Sequence, residues 1–378
     1  MNRPRSFESL DLIIDSDDHQ NGALDTTIDD ILPAKSGARP WVLPKPLHKS
    51  LADEFGNTKW EYLTQDPSKV RYYGSETYFR EGLHSTMQVL GACLYHTLHR
   101  HTAIVFKPDA VVARKILPAL EFLKKHNFDP VFAYSFRYDR LSLREDWRYQ
   151  LNQLSLERMR LNTLLAQMGD SLLVMLRDSE ADRKVPASVR LQLMKGPSFP
   201  EQQTPKHLRF VLGSWSRLLK FVHTPDEPAD LIREFGILFE DEERRNILRQ
   251  TTSASADKGM SQVMKMIDTL QAKNPYSPLE FDRSAEKLLS HHFSLAEKGG
   301  RYRTFFERLK ATIESCRKGE KLDWFALEAE LVKLKQNITW DHLVLAAKFI
   351  HHSYENEPPL VPNTGVKIWR TRRDLLQV

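Results

Sequence analysis

Apolar positions recur along this chain with two periods, and the switch between them predicts alternating strands and helices. Leu83, Met87, Leu90, Leu94 and Leu98 fall at helical spacing, which predicts a helix from Thr77 to His99. From residue 102 the order becomes strand, helix, strand, helix, strand. Ile104 to Phe106 reads as a buried strand, and Val111 to Asn127 as a helix with Ile116, Leu120 and Leu123 on one face. Val131 to Arg137 is a second strand, Glu145 to Met168 is helical, and Ser171 to Leu176 is a third, fully apolar strand. A short helix follows over Ser188 to Met194, and Leu218, Leu219, Phe221 and Val222 then lead into His223. Glu227-Pro228 opens a helix over residues 226–234. Proline suits its first position, and the carboxylates of Asp226, Glu227 and Asp230 suit the positive end of its dipole. A last edge strand is expected near Gly236 to Phe239. Helices packed on one face of such a sheet make an α+β sandwich with a ferredoxin-like antiparallel sheet.

Beyond Phe239 the pattern changes. Thr251 to Gly259 reads as a linker of small polar residues. Amphipathic helices follow over Met260–Ala272, Pro278–Phe293, Arg301–Arg317, Asp323–Gln336 and Trp340–Tyr354. They predict an all-α C-terminal domain over residues 259–378, after a sheet domain at 102–240. Residues 51–101 form an aromatic and helical extension. Residues 1–50 are acidic early and proline-rich later, which predicts a partly disordered arm whose short apolar pieces, Leu10 to Ile14 and Ile28 to Leu32, can dock on a neighbour.

Composition narrows the class. The chain has 378 residues, 41% of them hydrophobic, enough for more than one packed core. A formal charge of +5 suits an anionic ligand such as a nucleotide and does not call for nucleic acid. Cys93 and Cys316, far apart, point to a reducing compartment without a disulfide framework. No apolar run approaches a membrane span and the N-terminus is acidic, so a cytoplasmic protein without a membrane partner is expected. His96, His99 and His101 lack carboxylate or cysteine partners, so no metal is expected there; His291-His292 and His351-His352 read as exposed helix ends. The basic tail from Lys367 to Arg373, with its one tryptophan, reads as a surface docking strand.

The candidate chemistry gathers between Lys195 and Phe239. A proline-bracketed loop, Pro197 to Pro205, is closed by Lys206-His207-Leu208-Arg209; His223 follows, and Glu234 lies about three turns further on. About a hundred residues earlier a strand ends in Lys107-Pro108-Asp109-Ala110. Phosphoryl transfer needs a nucleophile and cationic or hydrogen-bonding groups around oxygens that carry dispersed charge. An imidazole neutral at pH 7 can serve as that nucleophile, and a lysine at a strand end and a forked arginine can hold the oxygens. These two stretches, in this order, resemble the nucleoside diphosphate kinase family over Thr102 to Phe239. Gly196 to Arg209 keeps that family's spacing without a gap, with Pro200 and Pro205 in place.

The resemblance implies the same fold, ATP as phosphoryl donor with Mg²⁺ bridging its phosphates, and a homo-oligomer. It implies that His223 carries the phosphoryl group, that Glu234 holds its other ring nitrogen, that Lys107 and Arg209 bind phosphate, and that Tyr149 hydrogen-bonds in the site. Ser198 stands where the family has threonine in the loop. There are also departures. Lys220 replaces an asparagine that contacts the sugar, and Thr224-Pro225-Asp226 replaces Gly-Ser-Asp, with Thr224 able to supply the hydroxyl. Gln192 stands at a second phosphate-binding arginine, with Arg190 two residues away as its replacement. Arg158, with Met159 beside it, falls where the family stacks a phenylalanine on the base. The phosphate-handling residues are thus kept better than those for base and ribose. Two readings follow: a phosphotransferase acting on a nucleoside diphosphate or related phosphorylated acceptor, and a catalytically impaired nucleotide-binding scaffold whose helical domain binds a protein partner.

Overall fold

A computed structural model of the chain describes residues 59–180, 185–253, 255–354 and 357–371. The arm at residues 1–50, and Arg372 and Arg373 of the tail, lie outside the described residues.

Four strands form one sheet: β1 (His101–Phe106), β2 (Phe128–Phe136), β3 (Ser171–Asp178) and β4 (Val222–His223). The order is β2-β3-β1-β4 and every neighbouring pair is antiparallel, which is the ferredoxin-like arrangement. β1 and β3 pair from His101 opposite Arg177 to Phe106 opposite Leu172. β4 is only two residues long and sets His223 opposite Val105. The edge strand expected near Gly236 is absent, because the periodicity of Leu231, Ile232 and Phe235 continues and the helix runs Pro228–Leu238 with Phe239 as its cap.

Helices cover both faces of the sheet, not one. Ile104, Phe106, Leu172 and Val174 point into a core shared with Val111, Ile116 and Leu120. Ala103, Val105, Leu173 and Met175 point the other way, onto Phe79, Leu83, Ile232 and Phe235. The fully apolar run of β3 already demanded this, since a strand wet on one face alternates. On the second face, helices Thr77–Leu90 and Pro228–Leu238 cross at Gly82 and Gly236. A β-carbon on Gly236 would collide with the Tyr78 carbonyl, and one on Gly82 with the Ile232 carbonyl. This close approach fixes the helix that carries Glu234.

Three expected helices are broken. The first stops at Leu90, turns through Gly91 with φ of 50°, and resumes as Leu94–Arg100. The second divides into Pro108–Val112 and Ile116–Lys125 around Arg114, whose φ is 59°. The third divides into Arg140–Asp146 and Leu156–Gln167, the latter capped by the Ser155 hydroxyl accepting from the Arg158 amide.

The C-terminal helices join the same core. In place of a linker at 251–259, helices Asp241–Ser253 and Ala256–Lys273 follow almost directly on one another. Gly259 lies against the Pro130 carbonyl, and the Gln262 amide donates to the Ala133 carbonyl at 3.1 Å and accepts from its N–H at 3.3 Å. The outer edge of β2 is thereby capped by a side chain. Helices Phe281–Ala296, Gly300–Arg317, Trp324–Lys333 and Trp340–Phe349 then extend the first face's core as far as Ile350. His292, expected at an exposed helix end, is 1% exposed, because its face of the helix meets Phe305 and His342. The tail is a helix, Gly365–Thr371, rather than a strand, and Trp369 is buried with its indole N–H donating to Glu227 at 2.8 Å. Cys93 is exposed, Cys316 buried, and both are free. Among the described residues no helix is long and apolar enough to cross a membrane.

Candidate active site

The site begins with a backbone kink. The Val222 amide donates to the Lys220 carbonyl at 2.6 Å, and Phe221 between them has φ of 62°, a γ-turn of the rare, strained hand. A phenylalanine in this region costs on the order of 1–3 kcal/mol and must be held there. Asp109, 2% exposed, does the holding: its carboxylate accepts from the Phe221 amide at 3.1 Å, and the Lys107 amide donates to the Phe221 carbonyl at 2.9 Å. The Lys-Pro-Asp-Ala segment at the end of β1 thus anchors the turn that delivers His223.

His223 Nε2 lies 2.8 Å from Glu234 Oε1, and Nδ1 has no hydrogen-bond partner among the described residues. The Trp147 ring meets the imidazole edge-on, with centroids 5.2 Å apart. Burial is the largest effect on the histidine and lowers its pKa to about 4, with Lys195 and Arg209 adding to it and Asp146 and Asp226 opposing. Burial also pushes Glu234 well above the usual carboxylate range, helped by Asp230 and Asp226, and raises Asp146 to about 7, helped by Glu234. Asp146 Oδ2 accepts from the Tyr138 hydroxyl at 3.1 Å, while Oδ1 is buried without a partner. Asp146, His223 and Glu234 each place one ligand atom within 4.8 Å of the others, a group able to hold a metal ion. Lys195 and Arg209, whose charges also reach the imidazole, oppose a cation there.

These groups line one cavity of about 440 Å³. Of the residues picked from sequence, Lys107, Ser198, Arg209, Lys220, His223, Thr224 and Glu234 all line it. Arg209 donates to the Gly196 carbonyl at 2.8 Å and keeps Nε unpartnered; the Thr224 hydroxyl is likewise buried and unpartnered. Lys107 donates to Asp109 and to the Leu218 carbonyl, each at 3.3 Å. Burial lowers Arg209 to about 10.

Two sequence picks lie elsewhere. Arg190 pairs with Asp178 at 2.8 Å and Glu180 at 3.1 Å and lies over the Phe128 ring, so it ties the end of β3 and does not line the cavity. Gln192, two residues along the same helix, faces the cavity instead. Tyr149 packs against Tyr73, with the Arg233 guanidinium over its ring, and lines a separate pocket. The break after Asp146 shifts the helical register there, so Trp147 and Asp146 turn toward His223 and Tyr149 turns away.

Reading the sequence missed several lining residues. Lys195 is buried beside Asp226 at 3.5 Å and donates to the Thr224 carbonyl at 3.3 Å; burial lowers its pKa to about 8. Asn363, far down the chain, donates to Asp226 and so brings the C-terminal segment to the cavity. Tyr138 and Arg217 complete the wall. No local signal marked Tyr138 or Asn363, since chain crossings alone place them.

No family model matches this chain, and no curated protein matches it. Among solved structures, a nucleoside diphosphate kinase from Pyrobaculum aerophilum is similar at 16% identity and a TM-score of 0.31, over 38% of this chain and 97% of that one. The Aquifex aeolicus nucleoside diphosphate kinase is similar at 18% identity and 0.30, over 37% and 95%. A Halobacterium salinarum nucleoside diphosphate kinase, solved in complex with CDP, is similar at 17% and 0.30, over 38% and 89%. At this level the likeness is one of fold, over little more than a third of the chain.

Proposed function

We propose that this protein is a phosphotransferase that moves the γ-phosphoryl group of ATP through His223 to a nucleoside diphosphate or related phosphorylated acceptor. The observation that carries this reading is the imidazole itself, in the wall of a cationic cavity with Nε2 on Glu234 and Nδ1 without a partner. With its proton on Nε2, the ring keeps the Nδ1 lone pair for attack. Burial keeps it neutral across the physiological range, which an attacking nitrogen requires.

In the first step Nδ1 forms a bond to the γ-phosphorus. The bond from phosphorus to the bridging oxygen breaks, and its electron pair leaves with ADP. In the second step a terminal phosphate oxygen of the acceptor displaces Nδ1, which recovers its lone pair. Glu234 acts as a positioning residue, holding the tautomer and facing the charge that the ring gains when phosphorylated. Lys107, Lys195 and Arg209 supply positive charge, and Ser198 and Thr224 supply hydroxyls, for the oxygens of the transferred group. Mg²⁺, brought in on the phosphates, would neutralise part of their charge. A homo-oligomer belongs to the same reading, and a mass measurement in solution tests it.

The experiment is phosphate transfer from γ-labelled ATP to wild-type protein and to His223→Ala. The expected label is acid-labile and alkali-stable, depends on His223, and is discharged by a phosphorylated acceptor. ATP binding without any His223-dependent label would overturn the transfer reading in favour of a nucleotide-binding scaffold.

A further inference from the structure

The cations that line the cavity differ in how they are partnered. Lys195 has Asp226 beside it, and Lys107 has Asp109. Arg158, Arg217 and Lys220 gather without a carboxylate in ion-pair distance among the described residues, and Arg209 shares this lack. Arg158 is 5% exposed and donates weakly to the His352 carbonyl at 3.4 Å; Arg217 reaches the Ser353 hydroxyl, also at 3.4 Å. The two guanidinium groups therefore converge on one stretch of chain, and Nε of each is buried without a partner. Neither Arg158 nor Lys220 forms an ion pair among the described residues, and the Lys220 ammonium has no hydrogen-bond partner among them. Exposed Glu201 bears on this group through Arg217, which also lies 4.1 Å over the Phe199 ring.

A structural role does not account for this arrangement. Two cations buried elsewhere in the chain are closely paired: Lys69 lies 2.9 Å from Glu227 and 2.6 Å from Asp230, and Arg233 lies 2.6 Å from Glu76. Burial and mutual repulsion lower Arg158 to about 9 and push Lys220 well below the usual lysine range, so the free protein holds these charges unfavourably. An anion between them would relieve that cost. Forked guanidinium groups and a point-charge ammonium are the donors that suit phosphate.

We propose that the phosphoryl acceptor is anionic at both ends, with one phosphate facing His223 and a second phosphoryl group held by Arg158, Arg217 and Lys220. This rests on the transfer reading above. An uncharged nucleoside end would instead leave these three cations without an anionic partner.

The test is calorimetric binding of two-ended probes, inorganic tripolyphosphate and fructose 1,6-bisphosphate, against one-ended probes, orthophosphate and fructose 6-phosphate. Wild type should bind the two-ended probes tighter by about tenfold or more, from the added charge-assisted hydrogen bonds. Arg158→Gln and Lys220→Gln should each remove most of that advantage and leave one-ended binding within about twofold. Lys220→Gln, at a less buried position, serves if Arg158→Gln does not fold. Equal affinity for both probe classes in wild type, or an advantage that survives both substitutions, overturns the proposal. Labelling at His223 in the same preparations separates the two ideas. Label without the advantage overturns only the second anionic subsite, whereas no label overturns the transfer reading and with it the acceptor assignment.

Discussion

Asp109 and Phe221 are 112 residues apart in sequence, yet the carboxylate of the first accepts the amide hydrogen of the second at 3.1 Å. That bond holds the strained turn that ends at Val222, directly before His223. Asp109→Ala would leave a buried N–H unpaired and release the turn. The expected cost is about 1–3 kcal/mol of stability, read as a lower urea midpoint. His223 labelling should fall with it, and an unchanged midpoint would show that the turn does not need this support.

Glu234 tests the tautomer directly. Glu234→Ala removes the acceptor on Nε2 and should lower the rate of His223 labelling by a factor on the order of 10². Glu234→Gln keeps an acceptor oxygen and should retain more of the rate than alanine does. Single-turnover kinetics of the two variants decide the point, and equal rates would mean that Glu234 does not orient the ring.

Gly236 sets two effects against each other. Alanine is the better helix former by roughly 0.8–1.0 kcal/mol, but its β-carbon would strike the Tyr78 carbonyl. Overpacking against backbone costs about 1–3 kcal/mol, so Gly236→Ala should be net destabilising by a denaturant titration. A stabilised variant would mean that the two helices can move apart freely.

The C-terminal core predicts an acid sensitivity. His292 and His342 are buried with ring centroids 5.7 Å apart, and burial, the larger cause, with neighbouring histidines lowers each pKa to about 4. Both His292 ring nitrogens, and His342 Nε2, lack partners. An unfolded histidine titrates near 6.5, so between pH 6.5 and 4 the unfolded chain binds protons that the folded chain does not. Stability should therefore be full above pH 6.5 and fall as pH drops through that window, by up to about 1.4 kcal/mol per pH unit per histidine. His292→Leu should flatten the dependence, and a slope as steep as wild type would place the sensitivity elsewhere.

Much of the architecture could be read before any coordinates. The apolar runs of β1 and β3, the amphipathic periods from Met260 to Tyr354 and the Glu227-Pro228 helix start are local patterns, and local propensity decides them. The order of the Lys-Pro-Asp-Ala segment, the proline-rich loop, His223 and Glu234 likewise marked part of the wall of one cavity, because those residues sit on elements with clear starts and stops.

The rest depended on where elements meet. Periodicity continues across Gly91 and across Asp146, since Leu90, Leu94 and Leu98 stay buried whether or not the helix is continuous. The sequence alone therefore hid the breaks, and with them the turn of Asp146 and Trp147 toward His223. Arg190 and Gln192 share one helix, and only packing against β3 determined which of them faces the cavity. Asn363 reached Asp226, and Arg158 and Arg217 both reached the chain at His352 and Ser353, through contacts between segments far apart in sequence, which no local pattern encodes. By itself, then, the sequence determined the three long strands, the helical character of most other segments and the residue types around His223. Only the tertiary structure decided which cations were left buried without partners, because pairing is a property of neighbours in space.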